Sequence, residues 1–255
     1  NYFNQLSRAY LIAEIGVNHN GDIELAREMI LEAKKSGADA VKFQTFKADS
    51  LVIPGTQKVR YQIETTSKDE THHEMLKKLE LGEAAHRHLA LFCAEQNIDF
   101  LSTPYDIDSA KFLNDLDIKI FKTASADIVD LPLQEYLAST GKPVIVATGM
   151  SSIDEVEKVV DIYKDADNHN LVLLHCVSNY PCSDISINLR SMNTLSKSFS
   201  LPIGFSDHSE GFLAAVSSVA MGAKVIEKHF TLDKNLSGPD HKASSTPDEF
   251  SELVA

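Results

Sequence analysis

Short apolar runs recur along the whole chain, and each is followed by a polar or glycine-bearing turn and then by a stretch with helical periodicity. The apolar runs are rich in β-branched residues, which favours strands, and apolar positions three or four residues apart favour helices between them. The pattern predicts strands at residues 9–16, 40–45, 98–104, 118–125, 143–149, 171–178, 201–208 and 224–231. It predicts helices at residues 22–36, 83–96, 107–116, 130–139, 153–165, 187–199 and 209–221, with a last one starting near Pro247.

Several predicted helices start at residues that favour helix N-termini. Asp and Ser at this position accept a hydrogen bond from an otherwise unpaired backbone N–H. We therefore predict N-caps at Asp22, Asp130, Ser152 and Ser209.

Strands that alternate with helices pair in parallel through right-handed crossovers, and eight such units are what a closed (β/α)8 barrel requires. An open doubly wound sheet is the alternative, but it usually has fewer strands and often a G-x-G-x-x-G turn after the first one. The first turn here, EIGVNHNGD at residues 14–22, lacks that motif. We predict an α/β fold, a (β/α)8 TIM barrel, with residues 1–255 as its catalytic domain and the last helix cut short.

The long connection after the second strand, residues 46–82, is polar and then amphipathic. Long loops in compact domains are often functional, so this segment is predicted to be a lid or a dimer contact. It contains His72 and His73, which are either ligands or solvated loop residues.

Polar residues stand at the C-terminal ends of all the predicted strands, where (β/α)8 barrels carry their chemistry. Fraying into loops explains serines and threonines there. It does not explain lysines and glutamates inside apolar runs, because a buried ionised group is costly unless it is paired or bound to a ligand. The rim residues are Glu14, Lys42, Gln44, Ser102, Thr103, Lys122, Ser125, Thr148, His175, Ser178, Ser206, Asp207, His208, Glu227 and His229.

The last two strands each end in a histidine, His208 or His229. Residues two apart on a strand share a face, so these histidines lie beside Ser206 and Glu227, and the two imidazoles are expected to approach each other. Imidazoles with water suit Mn, Fe, Co or Zn ions, whereas Mg and Ca ions prefer oxygen ligands. The competing interpretation is that both histidines form structural hydrogen bonds.

Lys42 and Lys122 place two cations on nearby strands, with the hydroxyls of Thr103, Ser125 and Ser206 at the same rim. This combination suits a phosphate or carboxylate ligand. A Schiff-base aldolase, in which one strand lysine attacks a carbonyl, is the alternative. The histidine pair favours a metal-assisted reaction.

Composition and charge narrow the range of partners. Of 255 residues, 43% are hydrophobic and 24% are charged, as in water-soluble globular proteins. The formal net charge of −13 argues against binding to nucleic acid or to an anionic membrane. Cys93, Cys176 and Cys182 form no even disulfide framework, and there is no signal peptide and no apolar run of ~18 residues, so we expect a cytoplasmic protein.

Motifs spread over all the predicted strands together resemble the sialic acid synthase family. The resemblance runs from about residue 9 to the end, which makes it more specific than any one motif. The motifs are AEIGVNHNGD (13–22), AVKFQTF (40–46), FLSTPYD (100–106), FKTASADIVDLPL (121–133), VIVATGMSS (144–152), LLHCVSNYP (173–181), IGFSDHSEG (203–211), EKHFTLDKN (227–235) and GPDHKAS (238–244).

The resemblance implies an enzyme that condenses phosphoenolpyruvate with an N-acylated mannosamine-type sugar and releases phosphate by C–O cleavage. The GPDHKAS motif is more similar to neuraminate and legionaminate synthases than to pseudaminate synthases. By matching positions, the catalytic residues it implies are Asp127, Glu14, Lys122, His208 and His229, the last two being the metal ligands. The substrate-binding residues it implies are Lys42, Gln44, Thr103, Ser125, Ser152, Tyr180, Ser206 and Asp240.

The resemblance also implies a divalent metal, Mn²⁺ first with Mg²⁺ or Co²⁺ as alternatives, and a domain-swapped homodimer in the full-length protein. The C-terminal antifreeze-like domain of the family is absent from these residues. The product is expected to enter surface polysaccharide. Two other functions stay open at this point: a Schiff-base aldolase and a sugar-binding barrel without catalysis.

Overall fold

A computed structural model describes residues 1–53, 55–67 and 69–255 of the chain. Within them lie eight strands: β1 (Tyr10–Gly16), β2 (Ala40–Thr45), β3 (Asp99–Pro104), β4 (Phe121–Thr123), β5 (Val144–Ala147), β6 (Leu171–Cys176), β7 (Ile203–Asp207) and β8 (Val225–His229). The helices are α1 (Ile23–Lys35), α2 (Ala48–Leu51), α3 (Arg60–Thr65), α4 (His72–Leu79), α5 (Glu83–Glu95), α6 (Ile107–Asp115), α7 (Leu131–Ser139), α8 (Ile153–Asp165), α9 (Asp184–Ile187), α10 (Arg190–Phe199), α11 (Leu213–Ala220) and α12 (Pro247–Val254). Short 3₁₀ helices are formed by Tyr2–Gln5, Ser125–Val129 and His241–Ala243.

The strands form one parallel sheet that curls into a nearly closed barrel. Its hydrogen-bonded order is β3-β2-β1-β8-β7-β6-β5-β4. The two end strands, β3 and β4, lie next to each other and bring the sheet round on itself. The predicted (β/α)8 TIM barrel is confirmed, and all the strand ends that carry the rim residues meet at one end of it.

The inside of the barrel is apolar where the strands begin and charged where they end. Alternation on β1 points Tyr10, Ile12 and Glu14 to one side, and β8 does the same with Val225 and Glu227. The apolar members pack together inside the barrel, and Phe3 from the N-terminal 3₁₀ helix covers this end. The other strand faces pack against the surrounding helices in a larger core. The sequence pattern thus places the charged groups next to an apolar core that fills the other end of the barrel.

The predicted helix starts are confirmed with one exception. Asp22, Asp130 and Ser152 each accept a hydrogen bond from a backbone N–H of the helix that they precede. Ser209 was predicted wrongly, because α11 begins four residues later with Phe212 as its N-cap. The Ser209 hydroxyl instead donates to Asp207 Oδ1 at 2.6 Å, which holds the turn after β7.

The long connection after β2 folds into the short helices α2, α3 and α4, and α2 packs against α4. Pro54 and Lys68 of this connection lie outside the described residues. Among the helices of the described part, none is long and apolar enough to cross a membrane.

Candidate active site

A cavity of about 380 Å³ opens at the C-terminal ends of the strands. Its volume is in the range of small-molecule sites in enzymes. Most of the residues that sequence motifs placed at the site line it: Glu14, Lys42, Gln44, Thr103, Lys122, Ser125, Tyr180, Ser206, His208, His229 and Asp240, together with Glu227.

Lys42 lies at the centre of the charged part of the cavity. Its Nζ is 2.8 Å from Glu14 Oε2 and donates to Thr103 Oγ1 at 2.9 Å. Glu14 and Lys42 are direct partners across the β1–β2 ladder, which explains their contact. Burial opposes the charge of Lys42, but the adjacent carboxylates of Glu14 and Glu227 outweigh it and raise the pKa of this amine. Lys42 is therefore held as a cation.

Glu227 joins the two lysines. Its Oε1 is 3.5 Å from Lys122 Nζ, and its Oε2 is 3.7 Å from Lys42 Nζ. The Ser206 hydroxyl donates to Oε1 at 2.9 Å, because Ser206 and Glu227 are paired on β7 and β8. Burial works against ionisation, but Lys122, Lys42 and this hydrogen bond lower the pKa of Glu227 to about 2. We call Glu14, Lys42, Thr103, Lys122, Ser206 and Glu227 the polar floor.

Glu14 behaves differently from Glu227. Burial raises its pKa to about 7, and the pull of Lys42 only partly offsets this because Glu227 repels a second negative charge. Gln44 Nε2 lies 3.4 Å from Glu14 Oε1 and lines the cavity beside it. Of the two floor carboxyls, Glu14 is thus the one that exchanges a proton near neutral pH.

His208 and His229 meet at the edge of the floor, with ring centroids 5.6 Å apart. The Nδ1 of His208 donates to the carbonyl of Val177 at 2.7 Å, which leaves Nε2 as the nitrogen with a lone pair, 3.3 Å from Ser206 Oγ. Burial lowers the pKa of both imidazoles, that of His229 well below its ordinary value, so both are neutral at pH 7. The Tyr180 ring covers His208 at a centroid distance of 4.2 Å.

This pair fits a divalent transition-metal ion. Within the described residues, His229 Nδ1 is buried without a hydrogen-bond partner, and Asp240 Oδ2 lies 3.9 Å from it. An imidazole whose other nitrogen is fixed by a backbone carbonyl, as in His208, is typical of metal ligands. The described residues contain no group of three His, Cys, Asp or Glu placed to hold a metal. A site on the two histidines would leave its other positions to water and substrate.

Part of the cavity lining is apolar. It is formed by residues of α2 and α4 and of the turns after β1 and α2: Val17, Leu51, Val52, Met75, Leu76 and Leu79. We call this set the apolar wall. Met75 and Leu79 pack on Val17 and Phe46, which anchors α4 to the barrel. Gln62 and His72 also line the cavity, so the connection after β2 contributes several residues to its lining.

Two predicted site residues are not brought to the cavity wall. Asp127 is buried, but its Oδ2 accepts from the backbone N–H of Ala124 at 2.9 Å and starts a 3₁₀ helix. Its pKa is raised to about 6 by burial, which the Ala124 hydrogen bond partly offsets. Ser152 is exposed, and its hydroxyl lies 2.9 Å from Glu155 Oε2 in the capping box of α8.

The sequence profile of the NeuB family matches residues 29–255. The chain belongs to the NeuB family. Two curated relatives are named N,N'-diacetyllegionaminic acid synthase. The one from Campylobacter jejuni is 46% identical over 250 residues, which are 97% of this chain and 75% of the relative. The one from Legionella pneumophila is 48% identical over 249 residues, 96% of this chain and 70% of the relative.

Solved structures agree with this family membership. The crystal structure of N-acetylneuraminic acid (sialic acid) synthetase from Leptospira borgpetersenii, in complex with citrate, superposes with a TM-score of 0.86 at 36% identity. The match covers 97% of this chain and 82% of that one. The resemblance inferred from the motifs is confirmed for this NeuB chain.

Sequence reasoning missed several residues of the NeuB cavity. Tyr105 lines it next to the apolar wall, and burial raises its pKa well above the ordinary value. The signal for Tyr105 was its place directly after β3, inside the FLSTPYD motif. The apolar wall gave no signal, because its leucines and methionines have the spacing of ordinary helix cores.

Proposed function

We propose that this NeuB chain condenses phosphoenolpyruvate with an N-acylated mannosamine-type sugar to give a nine-carbon sialic acid, N-acetylneuraminate or a legionaminate, and phosphate. One observation carries the proposal. Two lysines bridged by a single ionised glutamate lie beside two neutral histidines at the C-terminal rim. Similarity to two legionaminic acid synthases at 46% and 48% identity supports the same reaction.

The polar floor is suited to the anionic substrate. Lys42 and Lys122 would bind the phosphate and carboxylate of phosphoenolpyruvate, with the hydroxyls of Thr103 and Ser125 as further donors. The Ser125 hydroxyl is fixed, since it accepts from the backbone N–H of Gly149 at 3.1 Å. Both lysines are already positioned by carboxylates, so the floor is organised before the substrate arrives.

Carbon–carbon bond formation joins C3 of phosphoenolpyruvate to the aldehyde carbon of the sugar, and the aldehyde oxygen takes up a proton to become a hydroxyl. Positive charge then develops at C2, where Glu227, ionised and close to both lysines, can stabilise it. Water adds at C2, and phosphate leaves with its bridging oxygen. Two carboxyls that line the cavity, Glu14 with a pKa of about 7 and Asp240 with a pKa raised to about 6 by burial, are suited to take the proton from that water.

A divalent metal, Mn²⁺ by our proposal, would be held by His208 and His229. When bound, it would supply a Lewis acid for the sugar aldehyde oxygen. The protein's own part is to keep both imidazoles neutral and oriented: Val177 fixes the His208 ring, and Tyr180 packs over it.

A Schiff-base aldolase is less well supported. A lysine nucleophile must be deprotonated, and enzymes achieve this by lowering its pKa. Glu14 and Glu227 raise the pKa of Lys42 despite its burial. The Nζ of Lys122 donates to the backbone carbonyl of Thr123 at 2.9 Å and lies 3.5 Å from Glu227. These contacts direct Lys122 Nζ toward Glu227 and the carbonyl of Thr123, away from the role of a free nucleophile.

The test is phosphate release from phosphoenolpyruvate by the purified protein, with and without an N-acylated mannosamine, before and after chelation and readdition of Mn²⁺. We expect release only when both substrates and the metal are present. His208→Ala should reduce the rate at least 100-fold, the scale of losing a residue that orients the reacting groups. The matched control is His169→Ala, since His169 is exposed and pairs with Asp167 in the turn between α8 and β6.

Condensation of the sugar with pyruvate that is insensitive to the chelator, together with trapping of a lysine adduct by borohydride, would favour the aldolase. Binding of the sugar without phosphate release from phosphoenolpyruvate, whichever mannosamine derivative is supplied, would favour a non-catalytic barrel.

A further inference from the structure

A buried ion pair lies directly behind the two histidines of the cavity. Asp207 precedes His208 in the chain, Lys228 precedes His229, and Asp207 and Lys228 are partners across the β7–β8 ladder. Neighbouring residues on a strand point to opposite faces, so the histidines face the cavity and the ion pair lies on the side away from it. Lys228 Nζ is 2.9 Å from Asp207 Oδ2, and both side chains are almost fully buried.

The same two side chains hold the backbone that follows His208. Asp207 Oδ1 accepts from the backbone N–H of Ser209 at 2.9 Å and from its hydroxyl at 2.6 Å. Lys228 Nζ donates to the backbone carbonyl of Ser209 at 2.9 Å. The turn that carries His208 is therefore tied to the residue next to His229.

Stability alone does not account for a charged pair at this position. Replacing a buried ion pair with apolar residues of similar volume is often neutral or stabilising, because the desolvation of both charges offsets their attraction. The best-attested role of such buried polar groups is to fix the register of the elements that they join. Here those elements are the ends of β7 and β8, with one histidine at each.

We propose, resting on the metal site of the proposed function, that Asp207 and Lys228 are positioning residues for His208 and His229. Their ion pair sets the distance and the relative orientation of the two imidazoles from behind. Two ligands on separate strands bind one ion only while both strand ends keep their places, and residues that orient ligands in this way contribute to metal affinity.

The experiment measures binding of Mn²⁺ alone to the metal-free protein, from the electron paramagnetic resonance signal of the free aqueous ion. Lys228→Met keeps most of the side-chain volume but removes the cation, and it should raise the Kd for Mn²⁺ by at least about tenfold. The melting temperature of the metal-free variant should also fall, because Asp207 is left as an unpaired buried charge.

A double variant separates positioning from stability. In Asp207→Asn with Lys228→Met, the asparagine keeps an acceptor for Ser209 but carries no charge, so the melting temperature should recover toward that of the wild-type protein. The Kd for Mn²⁺ should stay high, because the carbonyl of Ser209 still lacks its donor. This variant also carries the test if Lys228→Met alone does not fold.

The control is Val159→Ala on α8, which opens a cavity in the larger core and should lower the melting temperature without changing the Kd. An unchanged Kd in Lys228→Met, recovery of the Kd in the double variant, or an equal rise in Val159→Ala would overturn the inference and leave the proposed function standing. If the wild-type protein bound no Mn²⁺, or if His208→Ala bound it equally well, the metal site of the proposed function would fall together with the inference.

Discussion

Glu14 on β1 and Glu227 on β8 contact the same lysine, yet burial raises the pKa of Glu14 while two lysines and Ser206 hold that of Glu227 low against the same burial. The sequence shows both as charged residues within apolar runs. It cannot show which one ionises, because that depends on Lys122, which lies 105 positions before Glu227. The difference in pKa between the two carboxyls is set by the residues that surround each of them in the fold.

This contrast predicts different outcomes for two isosteric changes. Glu227→Gln leaves Lys42 and Lys122 short of a buried partner, so the free energy of unfolding should fall by about 3 kcal/mol. Glu14→Gln resembles the protonated form that predominates below pH 7. At pH 5.5 it should therefore lower the free energy of unfolding much less than Glu227→Gln does. Urea unfolding of both variants and the wild-type protein at pH 5.5 and 8 measures the difference.

The pH dependence follows from the raised pKa of Glu14. A raised carboxyl contributes its full stability below its unfolded value of 4.5 and loses it as the pH rises through about 7. Glutamine does not titrate, so the stability of Glu14→Gln relative to wild type should improve between pH 5.5 and 8. An equal loss for both variants at pH 5.5 would contradict this account.

At the scale of elements, the local sequence predicted where most helices begin, but it predicted less well what the residues at those starts do. Asp22, Asp130 and Ser152 were predicted as N-caps from their own chemistry, and the structure confirms all three. Ser152 was also expected to bind substrate, yet its side chain is committed to the start of α8. Ser209 failed as a cap because Asp207 on the adjoining strand binds its hydroxyl, which a local pattern does not reveal.

Two serine substitutions separate capping from substrate binding. Ser152→Ala removes the acceptor for the Glu155 N–H and should lower the free energy of unfolding by about 1 kcal/mol, with KM for phosphoenolpyruvate unchanged. Ser125→Ala, which alters the cavity lining, should raise that KM several-fold. Thermal unfolding and steady-state kinetics on both variants test the assignment. A rise in KM for Ser152→Ala would place that residue at the substrate instead.

At the scale of the whole molecule, the alternation of apolar runs and helical stretches was enough to predict the barrel. Each strand is short and buried, and helices alternate with the strands along the chain, so the order of elements permits few other folds. Residues 46–82 were predicted to be a lid or a dimer contact, but the sequence did not show which, or how the segment meets the barrel. This contact depends on how Met75 and Leu79 meet Val17 and Phe46, and their spacing alone is the same as in any helix core.

Close packing within the barrel predicts a sharp effect at Gly204 on β7. A Cβ there would overlap the carbonyl oxygen of Val225 and the side chain of Leu174 on the flanking strands. Gly204→Ala should therefore lower the free energy of unfolding by about 3 kcal/mol. The comparison is Gly82→Ala, where a Cβ would meet nothing within 4 Å and the loss should stay below about 1 kcal/mol. Similar losses in both would show that the strands can move apart.

The polar floor is assembled from strands distributed along the whole sequence, whereas most of the apolar wall lies on one continuous stretch between β2 and α5. The charged and the apolar parts of the cavity are therefore encoded on separate parts of the gene. A lineage can change most of the apolar wall within one short stretch of codons without altering the polar floor. Chimaeras that swap this stretch between family members would exchange one part of the cavity and keep the other.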